Sequence, residues 1–134
     1  MKPSSRVVLD TNVLVSALLT RDGNPAKIYK MFLTGILKLV YCTEILEEYQ
    51  EILCRPHLKI PPTDAAIVLS AIRQYGEEIR VEPSIVPMLD EDDRIFYDTS
   101  KNSKAYLITG NKKHFPSEPL VLTPAEFLNI KVSN

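Results

Sequence analysis

The sequence predicts an α/β sandwich built on a mostly parallel sheet, carried by one domain spanning residues 1–134. Two observations predict it. Short runs rich in β-branched and apolar residues alternate with stretches of helical periodicity, the order that parallel strands and crossover helices require. No internal repeat, low-complexity segment or long linker divides the 134 residues, which suffice to bury a substantial core.

Arg6-Val7-Val8-Leu9 opens the chain as a buried strand, and a helical pattern follows through Val13, Leu14, Ala17 and Leu18. Gly23 and Asn24 break that pattern. Asn24 then serves as N-cap and Pro25 as the first residue of a second helix, with Ile28, Phe32 and Leu33 on one side and Gly35 just past its end. Residues 37–41 form a second strand. Thr43 caps a third helix over residues 44–54, which Arg55-Pro56 terminates. A turn at Pro61-Pro62-Thr63 leads into a fourth helix with Ile67, Val68, Ala71 and Ile72 as its apolar stripe. Residues 78–81 form a short strand and residues 83–90 a loop. A helix begins among Asp90-Glu91-Asp92-Asp93, where acids complement its dipole, and runs to about Asn102. Strands at 105–108 and 120–122 follow, and Pro124 opens a final helical turn.

Composition excludes several classes. Hydrophobic residues at 45% and charged residues at 25% match a globular protein rather than a disordered one. No apolar run approaches the roughly 20 residues that span a bilayer. MKPSSR lacks a following signal-peptide core, because Asp10 and Asn12 interrupt the stretch from Val7 to Val15. The expected location is therefore cytoplasmic. Cys42 and Cys54 are too few for a disulfide framework and lack zinc spacing, so both are expected to be buried, reduced and inert. The net charge of −1, from 16 basic and 17 acidic residues, neither supports nor excludes nucleic acid, since an acidic site can offset phosphate-holding bases.

The acids are more informative. Asp10 is the first polar residue after the first strand, and ligands of open α/β sheets gather beyond the C-terminal strand edges. It can bind a cation there or simply cap the next helix; position alone leaves both open. In the third helix, at about 100° per residue, Ile45, Leu46, Tyr49, Ile52 and Leu53 form a stripe. Glu47 and Glu51 point away from it into solvent, whereas Glu48 lies on its edge and can lean inward. Within the cluster 90–93, Asp93 directly precedes the first apolar pair of the helix, and its like-charged neighbours raise its proton affinity unless a cation is present. After the strand Tyr106-Leu107-Ile108, Thr109-Gly110-Asn111 offers hydroxyl and amide groups that can orient carboxylates, or a simple turn. Asp98 sits about 140° round the helix from Asp93 and is assigned to solvent. Lys112, Lys113 and His114, with Arg21 and Lys27, are the cations available for phosphate contact. Three acids and an amide at the ends of separate elements make an oxygen set suited to a hard divalent ion.

Four segments, in order, resemble the motifs of the PIN-domain family: residues 8–17 around Asp10-Thr11-Asn12, 46–56 around Glu48, 90–97 around Asp93, and 106–116 from Tyr106 through Pro116. The first is especially similar to the toxin ribonucleases of toxin–antitoxin pairs. The resemblance runs from about Arg6 to Ile130. It implies a three-layer α/β/α sandwich, Mg²⁺- or Mn²⁺-dependent endoribonuclease activity on RNA, an antitoxin as protein partner, and often a homodimer. Carried over by motif, Asp10, Glu48 and Asp93 take metal-binding and catalytic roles, with Asn12, Thr109 and Asn111 in support. Many PIN domains carry Asp where this chain has Asn111, which leaves open a degenerate domain that binds nucleic acid or dimerises without cutting. A haloacid-dehalogenase-type phosphatase would need a second Asp where Asn12 stands.

Overall fold

A computed structural model describes residues 5–133. The start of the segment read for a leader, up to Ser4, lies outside the described residues.

The chain runs β1 (Ser5–Leu9), α1 (Thr11–Leu19), α2 (Asn24–Leu33), β2 (Leu37–Tyr41), α3 (Thr43–Leu53), α4 (Pro62–Tyr75), β3 (Glu77–Glu78), α5 (Arg94–Ser103), β4 (Tyr106–Ile108), β5 (Val121–Leu122) and α6 (Pro124–Ser133). The strands form one sheet in the order β3-β2-β1-β4-β5, and every pairing is parallel. The sheet is thus wholly rather than mostly parallel. Successive residues Val7, Val8 and Leu9 are all buried, as are Leu39, Val40 and Tyr41. Strands buried on both faces need helices on both, which gives the three-layer α/β/α arrangement. α5 packs across β2, β1 and β4, while α2 packs on β2 and is itself covered by α1 and α6.

Strand order reverses at β1, whose neighbours are β2 on one side and β4 on the other. A crevice opens at such a reversal, beyond the carboxyl ends of the strands. Asp10 stands there, with its backbone N–H donating to the Ile108 carbonyl at 3.0 Å.

Several local expectations are corrected. Gly23, in extended conformation, is the N-cap of α2, so Asn24 is its first helical residue and caps nothing with its side chain. Cys42 caps α3 in the same way, and the Thr43 hydroxyl instead donates to Glu78 at 3.0 Å. The third strand covers residues 77–78 rather than 78–81, an edge pairing of two acids that no hydrophobic pattern marks. The cluster 90–93 forms a 3-10 turn, Glu91–Asp93, before α5 begins. The C-terminal turn is a full helix, α6. Ile67 is 66% exposed, because Ala65, Val68, Leu69 and Ile72 make the buried face of α4. Leu33 is exposed too. Cys42 is buried, but Cys54 is exposed, lying at the C-cap of α3 beyond the buried Ile45, Tyr49 and Leu53.

Asp98 is the largest correction. It is 2% exposed, and it accepts hydrogen bonds from the Ser84 backbone N–H at 2.9 Å and the Ser84 hydroxyl at 2.6 Å. Arg94 donates to the Ser84 carbonyl at 2.9 Å. Asp98 therefore ties the loop before the 3-10 turn down onto α5, where a buried acid is satisfied by directed donors.

Two glycines answer backbone demands. Gly35, at φ 79°, ends α2 in a Schellman motif, with Ile36 N–H donating to Met31 at 2.9 Å and Gly35 N–H to Phe32 at 3.1 Å. At Gly76 the demand is space. A Cβ would stand 2.5 Å from the Ile72 carbonyl and 2.9 Å from the Leu39 carbonyl, both backbone atoms that yield poorly. Gly76→Ala is expected to lower stability by about 2 kcal/mol as overpacking does, read as a lower urea midpoint with an unchanged slope; an unchanged midpoint would show that α4 and β2 can separate freely.

Candidate metal centre

Three acids from three elements lie near one another at the crevice. Asp10 is the N-cap of α1, half-buried, and its Oδ2 accepts from the Thr109 hydroxyl at 2.8 Å. The same hydroxyl oxygen accepts from the Asn111 backbone N–H at 3.0 Å, so the turn after β4 holds the Asp10 carboxylate in place. Glu48, half-buried on α3, accepts a short hydrogen bond from the buried Thr11 hydroxyl of α1. Glu47 and Glu51 are exposed, as the helical projection requires. Asp93 is the N-cap of α5, and its Oδ2 is buried without a hydrogen-bond partner. The Nδ1 of His114 lies 3.5 Å from that oxygen.

Electrostatics couples the group. Burial pushes the Asp10 carboxyl above its usual range, opposed by the Thr109 hydroxyl, the backbone amides of Thr11 and Asn12, and the His114 imidazole. The Asp93 carboxyl is pushed up by burial and then by the charges of Asp10, Asp90 and Glu48, with His114 opposing. Asp93 thus feels both other acids. Like charges at close quarters favour protonation or a bound cation.

The donor set fits a hard divalent ion: every candidate ligand is a carboxylate oxygen, and one of them is buried and unclaimed. Among the described residues no three His, Cys, Asp or Glu side chains stand within common reach of one ion. The acids are neighbours rather than a closed coordination shell, and Glu48 is turned onto Thr11.

The supporting residues divide. Thr109 contacts Asp10 directly. Asn12 is exposed on the first turn of α1, and Asn111 reaches the Asp10 site through its backbone N–H, which donates to the Thr109 hydroxyl. Lys112 is drawn away to Glu126, at 3.1 Å. Lys113 is exposed, as are Arg21 and Lys27. The segment 109–120 is anchored to α5 through Tyr97, whose hydroxyl donates to Glu118 and is pushed up to about 12 by burial and by that carboxylate. Thr11 is the residue that sequence reasoning passed over. It stood in the first motif beside Asp10, but nothing in the helical pattern tells that its hydroxyl reaches Glu48. A cavity of about 600 Å³ lies close by, lined by residues 42–44 and 78–82, and includes none of the three acids.

The strand order places Asp10 at the switch point of a parallel α/β/α sandwich, where ligands of such sheets gather. A family model described as PIN domain matches residues 6–113, and this chain belongs to the PIN-domain family. The matched span contains Asp10, Glu48, Asp93, Thr109 and Asn111, and it ends one residue before His114. An uncharacterized protein of Methanocaldococcus jannaschii is 32% identical over 110 residues, covering 80% of this chain and 71% of that one. PIN domains are in general nucleases, so membership implies nuclease-type activity.

The unneutralised Asp93 has a measurable consequence in metal-free protein. Its folded-state carboxyl binds protons above the ordinary value of 3.8, so the native state holds more protons than the unfolded state in the window above that value. Stability therefore falls as pH rises through the window. In EDTA, Asp93→Asn should melt higher than the unaltered chain at neutral pH, and the gap should close as pH drops toward 3.8. A variant that melts lower at neutral pH would contradict this.

Proposed function

We propose that this PIN domain is an endoribonuclease dependent on Mg²⁺ or Mn²⁺, with Asp10, Glu48 and Asp93 as its metal-binding catalytic acids. The observation that carries the reading is the buried Oδ2 of Asp93, which lacks a hydrogen-bond partner and is set among the charges of Asp10 and Glu48. Held there, a divalent ion supplies two things hydrolysis of a phosphodiester needs: a water acidified toward hydroxide, and positive charge against the phosphoryl oxygens. The residues of the chain do the remainder. Thr109 fixes the rotamer of Asp10, and Thr11 fixes Glu48. His114, 3.5 Å from Asp93, and its neighbour Lys113 on the turn after Asn111 serve the substrate phosphates. Lys112 joins them only by leaving Glu126. Asn12 and Asn111 supply neutral hydrogen bonds at the same site.

RNA as substrate, and action as the toxin of a toxin–antitoxin pair, rest on the motif resemblance, and a cytoplasmic location rests on the reading of the sequence for signal and membrane segments. No described helix is long and apolar enough to cross a membrane. A protein partner, whether an antitoxin or a second copy in a homodimer, is supported by exposed Leu19, Leu33 and Ile67 around an apolar cavity of about 350 Å³ among α1, α2 and α4.

A second reading is favoured by one observation. The acids do not converge on a common point, and Asn111 brings no charge, which suits a degenerate domain that binds without cutting. Cleavage separates the two. In Mn²⁺ the unaltered chain should cut single-stranded RNA, and Asp10→Asn should lose at least about a hundredfold in rate, the scale of several kcal/mol of lost transition-state stabilisation. Circular dichroism should show the fold retained. Equal rates for both proteins would remove Asp10 from the chemistry, and RNA binding without any cleavage would favour the degenerate module.

A further inference from the structure

Tyr49 has no part in the chemistry above, yet it is completely buried next to the acids. Its hydroxyl donates to the Leu9 backbone carbonyl at 2.5 Å. That carbonyl ends β1, one peptide before Asp10. Its ring lies tilted against Phe96 with centroids 6.5 Å apart, and Phe96 is in the first turn of α5, whose N-cap is Asp93. Tyr49 itself follows Glu48 on α3. One side chain thus touches β1 and α5 while standing on α3, the three elements that deliver the three acids.

We infer that Tyr49 is a positioning residue for the metal centre, its buried hydroxyl bond to the Leu9 carbonyl setting the spacing of Asp10, Glu48 and Asp93. The inference rests on the metal-dependent reading above. Its physical basis is repulsion. Three carboxylates drive their elements apart, and a tie that opposes them must survive where water cannot substitute for it. A phenol in dry surroundings meets that need. Without the hydroxyl, the end of β1 loses its link to α3, and Asp10 and Glu48 drift while the ring still fills its place.

Groups that orient ligands from behind are worth about 10–100-fold in metal affinity. The test uses the full chain and Mn²⁺ alone, with free ion measured by electron paramagnetic resonance. Tyr49→Phe keeps the ring and should weaken Mn²⁺ binding about tenfold. Ser100→Ala removes another buried hydroxyl bond, from Ser100 Oγ to the Ala105 carbonyl at 2.6 Å, near the far end of α5. It should leave affinity within about twofold, as distant sites do, whatever it costs in melting temperature. Phe96→Leu, which keeps the hydroxyl bond but loses the ring contact, should also bind Mn²⁺ more weakly, and it serves if Tyr49→Phe does not fold. Full affinity in the folded Tyr49→Phe protein, or in Phe96→Leu where that variant must serve, overturns the inference and leaves the metal site standing. An equal loss in Ser100→Ala overturns it too, by reducing the effect to general destabilisation. No Mn²⁺ binding by the unaltered chain overturns the metal-dependent reading, and the inference with it.

Discussion

Gathering carboxylates at the end of β1 is the constraint to which the surrounding structure answers. Asp10, Glu48 and Asp93 come from three elements; burial raises the proton affinity of Asp10, and burial together with neighbouring carboxylates raises that of Asp93. A fold selected for stability alone would put neutral residues there. Instead each acid is approached by a different device: Thr109 for Asp10, Thr11 for Glu48, and for Asp93 only a histidine at 3.5 Å. The unequal treatment is informative. An oxygen buried without a donor is costly unless something positive completes it, and that cost falls on Asp93.

The parallel sheet makes the gathering possible. Strand order reverses at β1, so β2 and β4 carry their following segments to opposite sides of one crevice. The turn after β4 brings Thr109, and α3, directly after β2, brings Glu48. α5 then crosses β2, β1 and β4 and presents its N-cap, Asp93, to the same place. Supporting ties hold these segments from outside the site. Asp98 binds the preceding loop through Ser84, and Tyr97 binds the turn after β4 through Glu118. Both tie irregular chain to α5, where strand pairing gives no help.

What the sequence makes legible follows from which forces are local. β1 and β2 stand out because both faces are buried and the side chains are apolar throughout. Glu48 can be separated from Glu47 and Glu51 because helical periodicity fixes directions relative to an apolar stripe. Caps are harder: Cys42 and Gly23 take those positions by backbone conformation, with no side-chain bond to announce them. β3 escapes notice because two glutamates on an edge carry no hydrophobic signal. Asp98 fails for another reason. A helical projection gives its direction, but a loop some fourteen residues earlier decides whether solvent or Ser84 lies there. Thr11 and Tyr49 likewise act through contacts 37 and 40 residues away, which no local pattern encodes.

The PIN-domain match spans the stretch of chain that carries the acids, and Asp93 lies within the electrostatic reach of Asp10 and Glu48. On the proposed function, Asp10, Glu48 and Asp93 close on one cation when it is present. The most direct measurement is a crystal structure of the full chain grown with Mn²⁺ and recorded for anomalous scattering. An anomalous peak about 2.0–2.3 Å from oxygens of Asp10 and Asp93, with Glu48 turned from Thr11 toward it directly or through water, is the predicted result. A map with no peak between these carboxylates, or with Mn²⁺ held only elsewhere on the surface, would contradict it.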